Sequence, residues 1–140
     1  MTDCIFCKIV AGEIPSAKVY EDDKVYAFLD TSQATEGHTL LVPKVHVENL
    51  MEYDESLAAD VFSRLPKISR AILAANPEAK GINVLNNNGE VAYQTVFHSH
   101  IHIIPRYSKE EGFAVSFANN QESYTQEAFQ ERAQRIAAEI

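Results

Sequence analysis

The run His98-Ser99-His100-Ile101-His102-Ile103-Ile104 places three of the chain's five histidines two residues apart, inside a stretch that reads as β-strand. Successive side chains of a pleated strand point to opposite faces. The run therefore predicts one face bearing His98, His100 and His102 and another bearing Ser99, Ile101 and Ile103. Such a strand fits where one face meets a hydrophobic layer and the other lines a polar, protonatable surface. Imidazole is largely neutral yet protonatable near pH 7, which leaves three readings: ordinary buried or surface histidines, metal chelation, or nucleophilic and acid–base chemistry. Three histidines in register favour the last.

At 140 residues the chain fits one domain, 1–140, large enough to bury a core without covalent staples. Its 12 Lys and Arg stand against 20 Asp and Glu, a formal charge of -8, which disfavours binding to nucleic-acid backbones or anionic membranes. Any bound anion has to be held locally. The N-terminus lacks the charged-then-apolar pattern of a signal peptide, and no apolar run approaches the roughly 20 residues needed to span a bilayer. A cytoplasmic protein is expected.

The two cysteines, Cys4 and Cys7, form a C-x-x-C pair. In a reducing compartment this spacing points to metal or redox chemistry. A redox pair expects a preceding strand and a β-α-β unit, for which there is no room here, so zinc is the better reading. Two thiolates need two further ligands to close a tetrahedral site, and His46 and His98 are candidates.

Lys18 to Tyr20 and Val25 to Leu29, joined by Glu21-Asp22-Asp23, read as a hairpin, and Thr39 to Val42 as a further strand closed by Pro43. His38, at the entrance to that strand, reads as a core hydrogen-bonding residue. Leu57, Val61, Leu65, Ile68 and Ile72 form one helical stripe that starts from an Asp54 cap, is kinked at Pro66 and stops at Asn76-Pro77. Gly81 to Leu85 reads as a strand, and Asn86-Asn87-Asn88-Gly89 as a turn whose amides could reach a substrate oxygen. Gln94 and Thr95 offer an amide and a hydroxyl just before the histidines. Phe113, Val115 and Phe117 alternate as a short strand or lid, and a final helix from about Thr125 carries Phe129, Ala133, Ile136, Ala137 and Ile140 on one side. Hairpin-forming strands with segregated helices predict an α+β fold: an antiparallel sheet of about five strands, one long helix and a C-terminal helix.

These residues resemble the histidine triad superfamily, whose mark is H-x-H-x-H followed by two hydrophobic residues, present here as HSHIHII. Ser99 departs from the hydrophobic expectation. Ile5-Phe6-Cys7-Lys8-Ile9, Gly12-Glu13-Ile14-Pro15, Ala27-Phe28-Leu29-Asp30, Gly37-His38-Thr39-Leu40, Pro43-Lys44-Val45-His46, Asn87-Asn88-Gly89 and Gln94-Thr95-Val96 follow the order of its Hint-like bacterial members. Tyr93 stands where many members have glycine, which bears on how Gln94 and Thr95 are aimed.

The resemblance implies a nucleotide-binding hydrolase or transferase that cleaves an α-phosphate linkage through a covalent nucleotidyl-histidine at His100. His102 would stabilise the phosphate, and Thr95, Gln94 and Asn87 would donate to phosphate oxygens or the leaving group. Asp30 would accept from the ribose hydroxyls, while Phe6, Ile9 and Phe28 would line a pocket for a purine base. Zinc-bearing relatives use the positions of Cys4, Cys7, His46 and His98, which implies one structural Zn2+ per chain and a metal-independent chemical step. A homodimer through the long helix and the edge strand Gly81 to Leu85 is implied as well. Two other classes compete: a zinc-dependent metallohydrolase using the HxH pair, and a non-catalytic nucleotide-binding or scaffold module. The leaving group and the base preference are not legible from these residues.

Overall fold

A computed structural model describes residues 3–140. A short helix α1, Ile5–Val10, is followed by three strands, β1 (Lys18–Glu21), β2 (Val25–Leu29) and β3 (Thr39–Pro43). Helices α2 (Glu55–Phe62) and α3 (Leu65–Ala75) lead to strands β4 (Gly81–Leu85) and β5 (Ile101–Arg106), and α4 (Gln126–Ala137) comes last. The strands form one antiparallel sheet in the order β1-β2-β3-β5-β4, the five-stranded α+β arrangement expected.

Local chemistry sets the turns. Asp22 Oδ1 accepts from the N–H groups of Lys24 and Val25, which closes the β1–β2 hairpin. Asp54 caps α2 by accepting from the Leu57 N–H. The predicted single long helix is two helices, interrupted at Ser63 and Arg64. Pro66 falls in the first turn of α3, where its missing N–H costs nothing, so the chain restarts a helix there instead of kinking through. The helical stripe survives the break. Leu57, Val61, Leu65, Ile68 and Ile72 all pack on Val25, Ala27, Leu41, Ile101 and Ile103 of the sheet. Each large side chain buried in this layer contributes about 2 kcal/mol.

The opposite face of the sheet carries a second cluster, in which Phe6 and Ile9 from α1 meet Tyr26, Phe28, Leu40 and Val42. The histidine run crosses this face. It is not strand throughout, for β5 begins at Ile101, and His98 to His100 form an irregular lead-in. That segment spends its polar groups on the end of β3 and the chain just after it, His98 Nε2–H donating to the Pro43 carbonyl and the Ser99 N–H to the Val47 carbonyl. The alternation of faces holds nonetheless. Ile101 and Ile103 enter the helical layer, and Ser99, on the same side, pairs its hydroxyl with that of Tyr53 at 2.9 Å.

Two other expectations change. Phe113, Val115 and Phe117 form no strand, because no neighbouring strand offers them a hydrogen-bonding edge. The C-terminal helix forms, capped by Thr125, but Phe129 and Ile136 on its apolar side are exposed. No helix among the described residues is long and apolar enough to cross a membrane.

Candidate active site

The second face of the sheet opens into a cleft of about 600 Å3. Helix α1 and strand β2 supply its apolar wall through Phe6, Ile9 and Phe28. Asp30, Thr95, His100 and His102 supply its polar side. Seven residues singled out from the sequence thus meet in one cavity. Phe6 sets an edge against Phe28, centroids 5.5 Å apart, and another against the His100 ring at 5.1 Å.

Proton positions along the histidine row follow from its partners. His100 Nδ1 lies 2.8 Å from the His98 carbonyl oxygen, which can only accept, so Nδ1 carries the proton and Nε2 keeps a lone pair. Burial depresses the His100 pKa, against the opposing pull of that hydrogen bond, and the ring is neutral at pH 7. The Ala34 N–H donates to His38 Nδ1 at 3.1 Å, which leaves the His38 proton on Nε2. That Nε2–H donates to His102 Nδ1 at 2.8 Å. The remaining nitrogen of His102, Nε2, is therefore a donor. Burial, with His100 and His38 adding to it, pushes the His102 pKa down to about 4.

Asp30 begins the loop between β2 and β3. Its Oδ1 accepts from the Ser32 N–H at 2.8 Å, and its Oδ2 lies 3.7 Å from His38 Nε2. Gln33, at a positive φ of 43°, braces the loop by donating from its side-chain amide to the carbonyls of Asp30 and His38.

At the other end of the row, His98 Nε2–H is committed to the Pro43 carbonyl at 2.8 Å, which leaves the Nδ1 lone pair facing sulfur. It lies 3.3 Å from Cys4 Sγ and 3.4 Å from Cys7 Sγ, and His46 Nδ1 is 3.3 Å from Cys7 Sγ. The four donor atoms fall within 4.8 Å of one another. The donor set of two thiols and two imidazoles, with His98 held in the ligating tautomer, fits a soft divalent metal such as zinc. Burial, then the neighbouring Cys4, pushes the Cys7 thiol up to about 11, so a metal ion taken up here would displace a proton.

Two expected substrate contacts do not reach the cleft. Gln94 is buried, and its amide is fully spent: Oε1 accepts from the Gly89 N–H, and Nε2 donates to the Glu48 and Val96 carbonyls. Asn87 lies outside the lining, its amide 3.4 Å from the Tyr93 carbonyl. Tyr93 sits in the left-handed region, φ 69°, the conformation that glycine would adopt without strain. Three further residues matter here: His38, which is the buried hydrogen-bonding residue expected and also orients His102; Asn86, expected only as part of a turn; and Gln33, which sequence reading passed over. Asn86 donates to the His100 carbonyl at 2.8 Å. Strand parity offered a signal for His38, since His38, Leu40 and Val42 share a face. The contacts of Gln33 and Asn86 had none.

An antiparallel sheet with a histidine row over an apolar-walled cleft defines a protein of the histidine triad class. A model of the HIT domain matches residues 11–109, and the chain belongs to the HIT family. The solved structure of a HIT family member from Bacillus subtilis is 53% identical, covers 99% of this chain and 97% of its own, and superposes with a TM-score of 0.95. Adenosine 5'-monophosphoramidase HNT1 of Candida albicans is 41% identical over 117 residues, 81% of this chain and 77% of that protein. A zinc-bound histidine triad family protein from Mycobacterium smegmatis is 30% identical, covers 99% of both chains and has a TM-score of 0.75.

Proposed function

We propose that this chain, as one nucleotide-binding domain, binds a purine nucleotide in the cleft and cleaves a linkage at its α-phosphate, of the nucleoside phosphoramidate or dinucleoside polyphosphate type. The observation that carries the reading is the His100 tautomer: a neutral ring with its Nε2 lone pair free, in a cleft also lined by the donor Nε2–H of His102. His100 Nε2 attacks the α-phosphorus, and the bond to the leaving group breaks with its electron pair on that group. Water then cleaves the nucleotidyl-imidazole and restores His100. His102 stabilises the phosphate oxygens as charge builds, with Thr95 as a second donor on the same wall. Asp30 takes the ribose hydroxyls, and Phe6, Ile9 and Phe28 hold the base. Gln94 supports this wall from behind as a positioning residue. The naming of the Candida relative as a monophosphoramidase favours a P–N linkage.

Cys4, Cys7, His46 and His98 would hold a zinc ion, and a closed four-ligand set supplies a structural tie. Among the described residues, no group of three ligand atoms close enough to share a metal includes two of the triad histidines, which weighs against chemistry on a metal held by the HxH pair. We assign a homodimer to the edge strand β4, where Val84 is half exposed.

The test is hydrolysis of adenosine 5'-phosphoramidate by the wild type and His100→Ala, each with and without a strong chelator, with circular dichroism as the folding control. The substitution is expected to lower turnover at least about 1,000-fold while the chelator leaves turnover intact in protein that stays folded. Loss of activity on chelation from folded protein would move the chemistry to the metal. Nucleotide binding without any turnover would leave a binding module.

A further inference from the structure

The apolar wall of the cleft has one exception. Among the described cleft-lining residues from Ile5 to Leu29, Ser16 is the one polar side chain; Asp30 to Gln33 belong to the loop after β2, and Thr95, His100 and His102 to the histidine end. Ser16 is half-buried, and its hydroxyl lies 2.9 Å from that of Tyr26, a buried residue of β2 outside the lining. The segment that carries Ser16 is held against β2 by the Leu29 N–H donating to the Ala17 carbonyl at 2.9 Å.

Its place in the cleft is opposite the histidines. The sheet order β1-β2-β3-β5 sets the segment leading into β1 three strands from β5, about 14 Å at the usual strand spacing. Along the wall, neighbouring rings lead from one end to the other: His100 to Phe6 at 5.1 Å, Phe6 to Phe28 at 5.5 Å and Phe28 to Tyr26 at 5.9 Å between centroids. A nucleotide with its α-phosphate at His100 and its ribose at Asp30 extends its base along this wall toward Ser16.

The base needs a polar partner there. The edge of a purine far from the sugar carries an amino group or a carbonyl at position 6, and burying either against apolar side chains without a hydrogen bond weakens binding. A phenol is the more acidic of the two hydroxyls, so Tyr26 donates to Ser16 Oγ. That uses one lone pair of Ser16 and leaves it a second lone pair and its O–H. Ser16 can therefore accept from a 6-amino group or donate to a 6-carbonyl, and the bond from Tyr26 polarises its O–H for the second task.

We propose that Ser16, aimed by Tyr26, reads position 6 of the purine base and selects nucleotides bearing an amino group or a carbonyl there over those bearing neither. The inference rests on the nucleotide reading of the cleft given above and deepens it by naming the residue that recognises the base. Ser16 touches the base, and Tyr26 is a positioning residue that acts through it. The contact lies at the opposite end of the cleft from the reacting phosphorus, so it acts on which nucleotide binds and not on the bond that breaks.

The experiment is calorimetric titration of the full chain with adenosine 5'-monophosphate and with purine riboside 5'-monophosphate, which differs only in lacking the 6-amino group. Neither carries a leaving group, so both bind without turnover. Wild type, Ser16→Ala and Tyr26→Phe are compared, with circular dichroism as the folding control. The ratio of the two dissociation constants cancels any general loss of binding that a merely structural role would produce. The wild type is expected to bind the adenosine nucleotide about fivefold to tenfold more tightly, with the ratio falling to about one in Ser16→Ala. Tyr26→Phe is expected to fall between them, since the Ser16 hydroxyl remains but loses its aim. A wild-type ratio of about one, or a ratio unchanged in Ser16→Ala, would overturn the base contact and leave the nucleotide reading standing. A Tyr26→Phe ratio equal to that of the wild type would overturn the positioning by Tyr26. Binding of neither nucleotide by the wild type would overturn the reading of the cleft, and this inference with it.

Discussion

The two ends of the histidine row hold similar ligand types and use them differently. At one end His98 faces Cys4, Cys7 and His46; at the other His102 faces His38 and Asp30. In each group the donor atoms lie within 4.8 Å of one another, so distance alone would make both of them metal sites. Hydrogen bonding separates them. The outer nitrogen of His98 is fixed by the Pro43 carbonyl and its inner lone pair points at sulfur. His38 and His102 satisfy each other across 2.8 Å, which withdraws both nitrogens from any cation. Where the protons sit, and not how close the ligands are, decides which end can take a metal and which can present a donor to phosphate. His100 belongs to neither group and is oriented by the backbone of the first.

This contrast breaks most visibly under paired substitution. His38→Ala is expected to lower kcat about 100-fold by freeing the His102 tautomer, with zinc content by atomic absorption unchanged. His46→Ala is expected to do the reverse, emptying the metal site and lowering the melting temperature while much of kcat survives. Equal loss of kcat in both variants would mean that the two ends work as one site.

A pH series sharpens the same difference. The His102 pKa is pushed down to about 4, and its ring faces His100, His38 and Asp30. An unfolded histidine titrates near its ordinary 6.5, so between these values the unfolded chain binds more protons than the native one. The stability contributed by neutral His102 is therefore present above pH 6.5 and lost as pH falls toward 4. Melting temperature should drop more steeply from pH 7 to pH 5 in the wild type than in His102→Asn. Identical slopes would show that His102 titrates normally. Activity should likewise hold below pH 6.5, its acid limb displaced toward the lower value.

The smallest effect expected concerns backbone strain beside the site. Tyr93→Gly removes a side chain from the left-handed region at φ 69° and should stabilise the fold by up to about 1 kcal/mol in urea titration. A destabilised variant would indicate that the Tyr93 ring contributes contacts of its own.

Much of this fold was legible because it rests on repeated local patterns. The stripe from Leu57 to Ile72, the Asp54 cap, the start of the last helix near Thr125 and the alternation through the histidine run all follow from residue spacing and type. Element boundaries were less legible. Pro66 could equally kink a helix or start one, and only the break at Ser63 and Arg64 selects the second. The triad, Asp30, Thr95 and the apolar wall were found because their chemistry is tied to position in a motif. Gln94 was legible as polar and nearby but not as buried, since its amide is claimed by the backbone of Gly89 and Val96 close by and by that of Glu48, which the fold brings to it from a distance.

By itself, then, the sequence determined the antiparallel α+β plan, the face on which the histidines lie and the residues that could serve as nucleophile, donor and ligands. The plan and the face depend on periodicities of two and 3.6, which are properties of neighbours along the chain; the roles rest on side-chain chemistry together with the resemblance of these positions to the histidine triad motif. Only the tertiary structure decided which nitrogen of each imidazole carries a proton, that His38 belongs to the site, that Gln94 does not reach the cleft and that the apolar side of the C-terminal helix is exposed. Those outcomes depend partly on hydrogen-bond partners 46 to 64 residues away and partly on near ones, the His98 carbonyl for His100 and the Ala34 N–H for His38, that meet their nitrogens only in the folded loop geometry, and on whether a surface exists to receive an apolar face.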